Sequence, residues 1–156
     1  MKNPLLLICF FWVSTACAPR KITRTNAVQQ VQEGITGYIY EESGNRMPMK
    51  GAIPKTAKGL STTIYIYELT NTGQVSRVGP TPFYTTIRTR RVTTAYSDST
   101  GAFTIRLAPG RYSLFVKQGD RFYANSFDAG NNIAPVSVQK DRLSPVRIMV
   151  NPSAVY

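Results

Sequence analysis

"SDSTGAFTIRLAPGRYSLFVK", residues 97–117, is the stretch that decides the fold. Two short runs alternate apolar and polar residues on either side of a Pro-Gly corner, as strands with one buried face do. In the first run Phe103, Ile105 and Leu107 are expected inward, with Thr104 and Arg106 outward. In the second, Tyr112, Leu114 and Val116 take one face, and Ser113 and Phe115 the other. Asp98-Ser99-Thr100-Gly101 reads as a turn, because an aspartate caps its own backbone and glycine accepts positive φ. Ala108-Pro109-Gly110 reads as the next turn. Tyr112, directly behind it, is placed for a tyrosine corner, its ring in the core and its hydroxyl tied back to nearby backbone. The expectation is two neighbouring antiparallel strands with a locked corner.

The same period of two runs outward from this stretch. "ITGYIYE" (35–41) sets Ile35, Gly37 and Ile39 against Tyr38 and Tyr40, and "TTIYIYEL" (62–69) sets Ile64 and Ile66 against Tyr65, Tyr67 and Leu69. Both are dense in the β-branched and aromatic residues that fit a pleated, half-buried surface. "TTIRTRRVTTAYS" (85–97), "VSVQK" (136–140) and "VRIMV" (146–150) continue the strand chemistry. Between them "SGNRMPMKGAIPKTAKG" (43–59), "TNTGQVSRVGPTPFY" (70–84) and "GDRFYANSFDAGNNIAP" (119–135) read as loops, being rich in Gly, Pro and Asn. The sum is an all-β, Ig-like or transthyretin-like antiparallel sandwich of about seven strands, with no helix inside the domain.

The sandwich is expected over residues 34–156, with long loops at 43–60 and 70–90. Residues 1–16 have an early Lys2, an apolar run from Leu5 to Val13 and then small residues, the order of a secretory signal. The run is too short to span a bilayer as a stable helix. Ala16-Cys17-Ala18 fits ordinary signal peptidase, but Pro19 would then lead the mature chain, which that enzyme accepts badly. Ser14-Thr15-Ala16-Cys17 instead resembles a relaxed bacterial lipobox of the kind in Bacteroidetes lipoproteins, which implies lipidation at Cys17. Residues 17–33 then form a polar linker lifting the domain off a membrane. Cys9 leaves with the signal, so the exported domain has no thiol to pair and relies on its core. The expected address is the cell envelope, at the outer membrane of a Gram-negative bacterium.

The run from Ser97 closely resembles the carboxypeptidase regulatory-like domain, whose pattern is T-D-x-x-G-x-F-x-h-x-L-x-P-G-x-Y-x-h with h apolar. Asp98, Gly101, Phe103, Ile105, Leu107, Pro109, Gly110, Tyr112 and Leu114 match it, with Ser97 in place of the threonine. The resemblance is looser over residues 34–67 and 134–150. It implies a transthyretin-like sandwich, here as a small stand-alone bacterial protein with an exported address. It implies no activity, since the module is an accessory in the peptidases that name it.

The chain contains no histidine, which removes the commonest general base and zinc ligand together. That excludes the peptidase activity the family's name suggests, whose catalytic domain needs a zinc site and a much longer chain. The transthyretin-like hydroxyisourate hydrolases share the fold, but use histidines and a C-terminal tetrapeptide that "PSAVY" does not match. Eight carboxylates are present, and no spacing suggests a catalytic pair. "SDSTG" and "FDAGNN" resemble fragments of calcium loops, but each has a single carboxylate where calcium takes about six or more oxygens, so both read as turns. Neither catalytic residues nor a metal or cofactor are expected. A cryptic hydrolase would be marked by two carboxylates converging in a deep pocket.

Charge carries the functional hint. The chain holds 19 Lys and Arg against 8 Asp and Glu, a net +11. No acid lies between Ser43 and Tyr67, which include Arg46, Lys50, Lys55 and Lys58, nor between Leu69 and Ser97, which include Arg77, Arg88, Arg90 and Arg91. If both loops lie on one rim they form a patch for an anionic partner, such as an envelope protein, glycan or lipid. The plainer alternative is solvated loop charge. The tyrosines among them, Tyr38, Tyr40, Tyr65, Tyr67, Tyr84 and Tyr123, either stack on sugar rings or form cross-strand pairs and a second core face. The expected contact residues are Arg46, Lys50, Lys55, Lys58, Arg88, Arg90, Arg91 and Tyr123. Nucleic acid is not an expected partner of an exported protein.

Overall fold

A computed structural model describes residues 33–42 and 57–151. Among them are eleven strands: β1 Gly34–Glu41, β2 Lys58–Gly59, β3 Thr63–Glu68, β4 Val75–Arg77, β5 Phe83–Ile87, β6 Arg91–Tyr96, β7 Ala102–Arg106, β8 Gly110–Gln118, β9 Arg121–Tyr123, β10 Pro135–Val138 and β11 Leu143–Val150. The only helical element among the described residues is a 3₁₀ turn, Thr72–Gln74. The strands form two sheets. In one, β1 has β11 along one side and β7 followed by β2 along the other; the second runs β4-β5-β9-β8-β3-β6, with β10 also on β8.

The β-sandwich expected from the alternation is present, and the faces fall as read. Ile35, Ile39, Phe103 and Leu107 from the first sheet meet Ile64, Ile66, Leu114 and Val116 from the second in one buried core. The tyrosine corner forms: the Tyr112 hydroxyl donates to the Ala108 carbonyl at 2.9 Å. So does the Asp98 turn, where Oδ1 accepts from the Thr100 N–H (2.8 Å), the Thr100 hydroxyl (2.6 Å) and the Ala102 N–H (3.0 Å).

Three details differ from the reading. First, β7 and β8 are not neighbours. β7 pairs with β1, whereas β8 pairs with β3, β9 and β10, so Ala108-Pro109-Gly110 arches from one sheet to the other. Proline's φ near −65° cannot enter the left-handed conformations that a tight two-residue hairpin requires. Second, one ladder is parallel: β1 and β11 pair from Gly34↔Leu143 to Glu41↔Val150. A parallel pair needs a crossover, which the whole intervening chain supplies here. Third, segments read as loops hold strands. The 70–90 stretch contains β4 and β5, with Gly79 (φ 54), Pro80 and Pro82 confined to the connection between them. The 119–135 stretch contains β9, and the run from 85 to 97 is broken between β5 and β6. Of the 43–60 loop, residues 43–56 lie outside the described residues, and its end is β2.

The 70–90 segment is also why there is a second core. In β8, Leu114, Phe115 and Val116 are all buried, so that strand is covered on both faces. Phe115 points away from the main core and meets Tyr67, Tyr84, Ala124 and Ile133, with Val75, Ile87 and Phe122 packed around them. The β4–β5 hairpin and the chain from 124 to 134 therefore cover the outer face of β3 and β8. Tyr65, Tyr67 and Tyr84 belong to this second core rather than to a stacking platform. Burial pushes the Tyr67 and Tyr84 hydroxyls above the ordinary tyrosine pKa, an effect that nearby Arg91 and Arg77, respectively, oppose.

Candidate binding surface

The arch at 107–110 and the strand pairings fix which residues share an end of the sandwich. β1 and β11 begin at one end, where β7 finishes at Arg106 opposite Gly34. The arch at 107–110 delivers β8 to that same end, and Glu68↔Tyr112 and Tyr67↔Arg91 bring the close of β3 and the start of β6 beside it. β10 also finishes there, Val138 opposite Gly110. The side chains gathered at this end include Arg88, Arg90, Arg91, Arg106, Arg111, Lys140 and Arg142, all exposed. The carboxylates there are Glu33, Glu68, Asp128 and Asp141. At the opposite end, among the described residues, Lys58, Lys117 and Arg121 are balanced by Glu41, Glu42, Asp98 and Asp120. β3, running between the two ends, is about 17 Å long at ~3.3 Å per residue.

The basic turn is pinned from below. The Thr70 N–H donates to the buried Ser113 hydroxyl (3.0 Å), and Thr70 and Thr89 share a hydroxyl hydrogen bond of 2.6 Å. The Glu68 N–H donates to the Arg90 carbonyl (3.0 Å), and the Arg88 N–H to the Gln74 carbonyl (2.9 Å). With the backbone held, the guanidinium groups project outward: Arg91 lies over the Tyr65 ring at 5.7 Å, and Arg90 meets Glu68 at 2.6 Å. That ion pair is solvent-exposed and contributes little to stability, leaving the arginine's remaining donors toward water.

Asp128 organises the neighbouring loop. Its Oδ1 accepts from the backbone N–H of Gly130 and of Asn132 (both 2.9 Å), its Oδ2 accepts from the Asn132 amide (2.9 Å), and Arg111 donates to Oδ2 at 2.7 Å. Led by the Asn132 side chain, these donors lower its pKa to about 2. Because the folded-state value lies below that of the unfolded chain, near 4, the carboxylate's contribution is complete above that range. It is lost as pH falls through about 4 toward 2. Urea midpoints followed from neutral to acidic pH should therefore fall less steeply in Asp128→Asn than in the wild type. Equal slopes would refute this role.

Of the expected contact residues, Arg88, Arg90 and Arg91 come together. Lys58 lies at the opposite end, on β2 beside Glu41, because β2 pairs with the close of β1 and Gly59 packs against Thr100, away from the arginines. Arg46, Lys50 and Lys55, like Cys17, lie outside the described residues. Tyr123 is corrected outright: it is 0% exposed on β9. Its hydroxyl donates to the Met149 carbonyl (3.2 Å) and accepts from the Asn151 N–H (3.0 Å), so it ties the end of β11 to the core instead of meeting a partner. Arg106, Arg111, Lys140 and Arg142 were not anticipated. The alternation marks Arg106 as outward-facing, but only the arch and the parallel β1–β11 pairing bring the four beside Arg88–Arg91.

Two other surfaces are chemically distinct. The outer face of the four-stranded sheet carries Tyr38, 49% exposed, its ring nearly parallel to Tyr40 with centroids 6.0 Å apart, and Arg147 lies over Tyr40 at 4.9 Å. Thr36 and Thr104 share a hydroxyl hydrogen bond (2.9 Å) on the same face. Between β10 and β11 runs a groove of about 380 Å³ lined by Leu114, Val136, Val146, Ile148 and Asn125, with no carboxylate in its walls. No group of three or more potential metal ligands occurs among the described residues. No family model, curated protein or solved structure matches the chain.

Proposed function

We propose that the protein is a non-catalytic binding module of the bacterial envelope, akin to carboxypeptidase regulatory-like domains and tethered through lipid on Cys17. It holds an anionic partner at the basic end of the sandwich. The observation that carries this reading is the charge asymmetry among the described residues: Arg88, Arg90, Arg91, Arg106 and Arg111 are exposed together on one end of a doubly cored frame, whereas the described charges at the other end balance. A fixed array of guanidinium groups suits phosphate and carboxylate ligands, since each presents several donors in a planar fork.

The test is a pull-down from envelope extract with residues 20–156, at low and high salt. A partner held at low salt, released at high salt and lost when Arg88, Arg90 and Arg91 are changed to Glu is the expected result. Tyr38, exposed and stacked on the half-buried Tyr40, supports a second reading, a carbohydrate-binding face, since flat aromatic surfaces stack on sugar rings. Capture that survives salt and disappears in Tyr38→Ala would replace the first reading with the second. No capture in either condition would remove both.

A further inference from the structure

We infer that the anionic partner of the basic end is the headgroup surface of the membrane itself, so that the sandwich rests on the bilayer with the Arg88–Arg91 turn toward it. This rests on the binding-module reading and names its partner. The first described residues lie at the basic end: the Gly34 N–H donates to the Arg142 carbonyl at 3.3 Å, and Glu33 accepts from the Asp141 N–H at 3.5 Å. The chain leading to that point, from a lipid on Cys17, carries Arg20, Lys21 and Arg24, and no acid until Glu33. The point of attachment and the excess of positive charge therefore coincide.

Reach and field both favour this orientation. The segment from Ala18 to Glu33 spans at most about 55 Å, even fully extended, and it is joined to the basic end alone. Presenting the opposite end would take up about 17 Å more of that tether. Attraction between exposed charges and an anionic surface decays over about 8 Å at physiological salt, so whichever end lies nearest the bilayer dominates. Of the four carboxylates at the basic end, Glu68 and Asp128 are held in ion pairs with Arg90 and Arg111. Among the described residues the far end offers no comparable excess, with Lys58, Lys117 and Arg121 against Glu41, Glu42, Asp98 and Asp120.

The experiment uses the chain from residue 17 with Cys17→Ser, which keeps every described residue and cannot be lipidated. Its binding to phosphatidylcholine vesicles is compared with binding to vesicles in which about a third of the lipid is phosphatidylglycerol. Binding to the anionic vesicles only is expected. The triple variant Arg88→Gln, Arg91→Gln, Arg142→Gln should bind roughly 100-fold more weakly, given the contribution of each basic residue near such a surface. The matching far-end variant, Lys58→Gln, Lys117→Gln, Arg121→Gln, should bind as the parent does. Thermal melts confirm that both variants are folded. Equal losses in the two variants would reduce the effect to net charge and overturn the inference. Indifference of the parent chain to phosphatidylglycerol would also overturn it. In that case, salt-sensitive capture of an envelope protein or glycan would leave the binding-module reading standing, whereas no capture would remove that reading too.

Discussion

Gly101→Ala leaves the domain without a cooperative unfolding transition, or with one at far lower urea. Gly101 closes the Asp98 turn at φ 82, a conformation that disfavours a side chain by about 1–2 kcal/mol. The larger effect is steric: a Cβ there would lie 2.0 Å from the Ile39 carbonyl oxygen. That oxygen cannot recede. Ile39 is fully buried, pairs with Ile148 across the parallel ladder, and donates its own N–H to the Gly101 carbonyl at 2.8 Å. Either the turn separates from β1 or β1 shifts against β11, and both open the main core. The expected loss exceeds about 4 kcal/mol, a large share of the ~5–15 kcal/mol that stabilises a typical domain. Gly119→Ala is the internal control. It has φ 56 and nothing within 4 Å of the added carbon, so it should lose only about 1 kcal/mol. Equal losses in the two variants would mean that the close approach at Gly101 is irrelevant.

Gly101 also marks how far the sequence could be read. Asp98, Gly101, Phe103, Leu107 and Tyr112 were legible because each position is decided locally, by a capped turn, an alternation or a tyrosine behind an arch. What alternation could not say is which sheet receives each strand. β7 and β8 carry consistent inward faces whether they pair with each other or across the sandwich, and the choice was made by Pro109. The parallel β1–β11 ladder joins residues more than a hundred positions apart, and no local signal announces it. The candidate surface inherits this limit. Arg88, Arg90 and Arg91 were visible as a cluster because they lie within four positions, whereas Arg106, Arg111, Lys140 and Arg142 join them only through the topology. Tyr123 was misjudged for a related reason. In "DRFYAN" one aromatic of the Phe122-Tyr123 pair faces each core, and with both faces of the sheet covered, neither is left for a partner.

Phe115→Ala separates the two cores in function as well as in packing. Phe115 is fully buried, with its ring edge-on to Tyr67 (5.6 Å between centroids) and Tyr84 (5.7 Å). Removing a ring from such a site costs about 3–5 kcal/mol through lost burial and the remaining cavity. The loss falls on the layer formed by β4, β5 and the 124–134 segment, since Leu114 and Val116, on the other face of β8, keep the main core intact. Amide exchange should therefore accelerate first over residues 75–87, while β1 and β11 stay protected. Leu114→Ala should instead raise exchange in both sheets together. The β4–β5 layer leads directly into the Arg88–Arg91 turn, and Thr70, bonded to Thr89 in that turn, accepts from the Ile133 N–H of the covering segment at 2.8 Å. Loosening the layer spreads the guanidinium groups over more positions and raises the ordering cost of binding. The proposed salt-sensitive binding to an anionic partner should thus weaken in Phe115→Ala at temperatures where circular dichroism still reports a folded sandwich. Should affinity hold while exchange over 75–87 rises, the second core would serve stability alone, and the arginines would act through their charge without needing a fixed geometry.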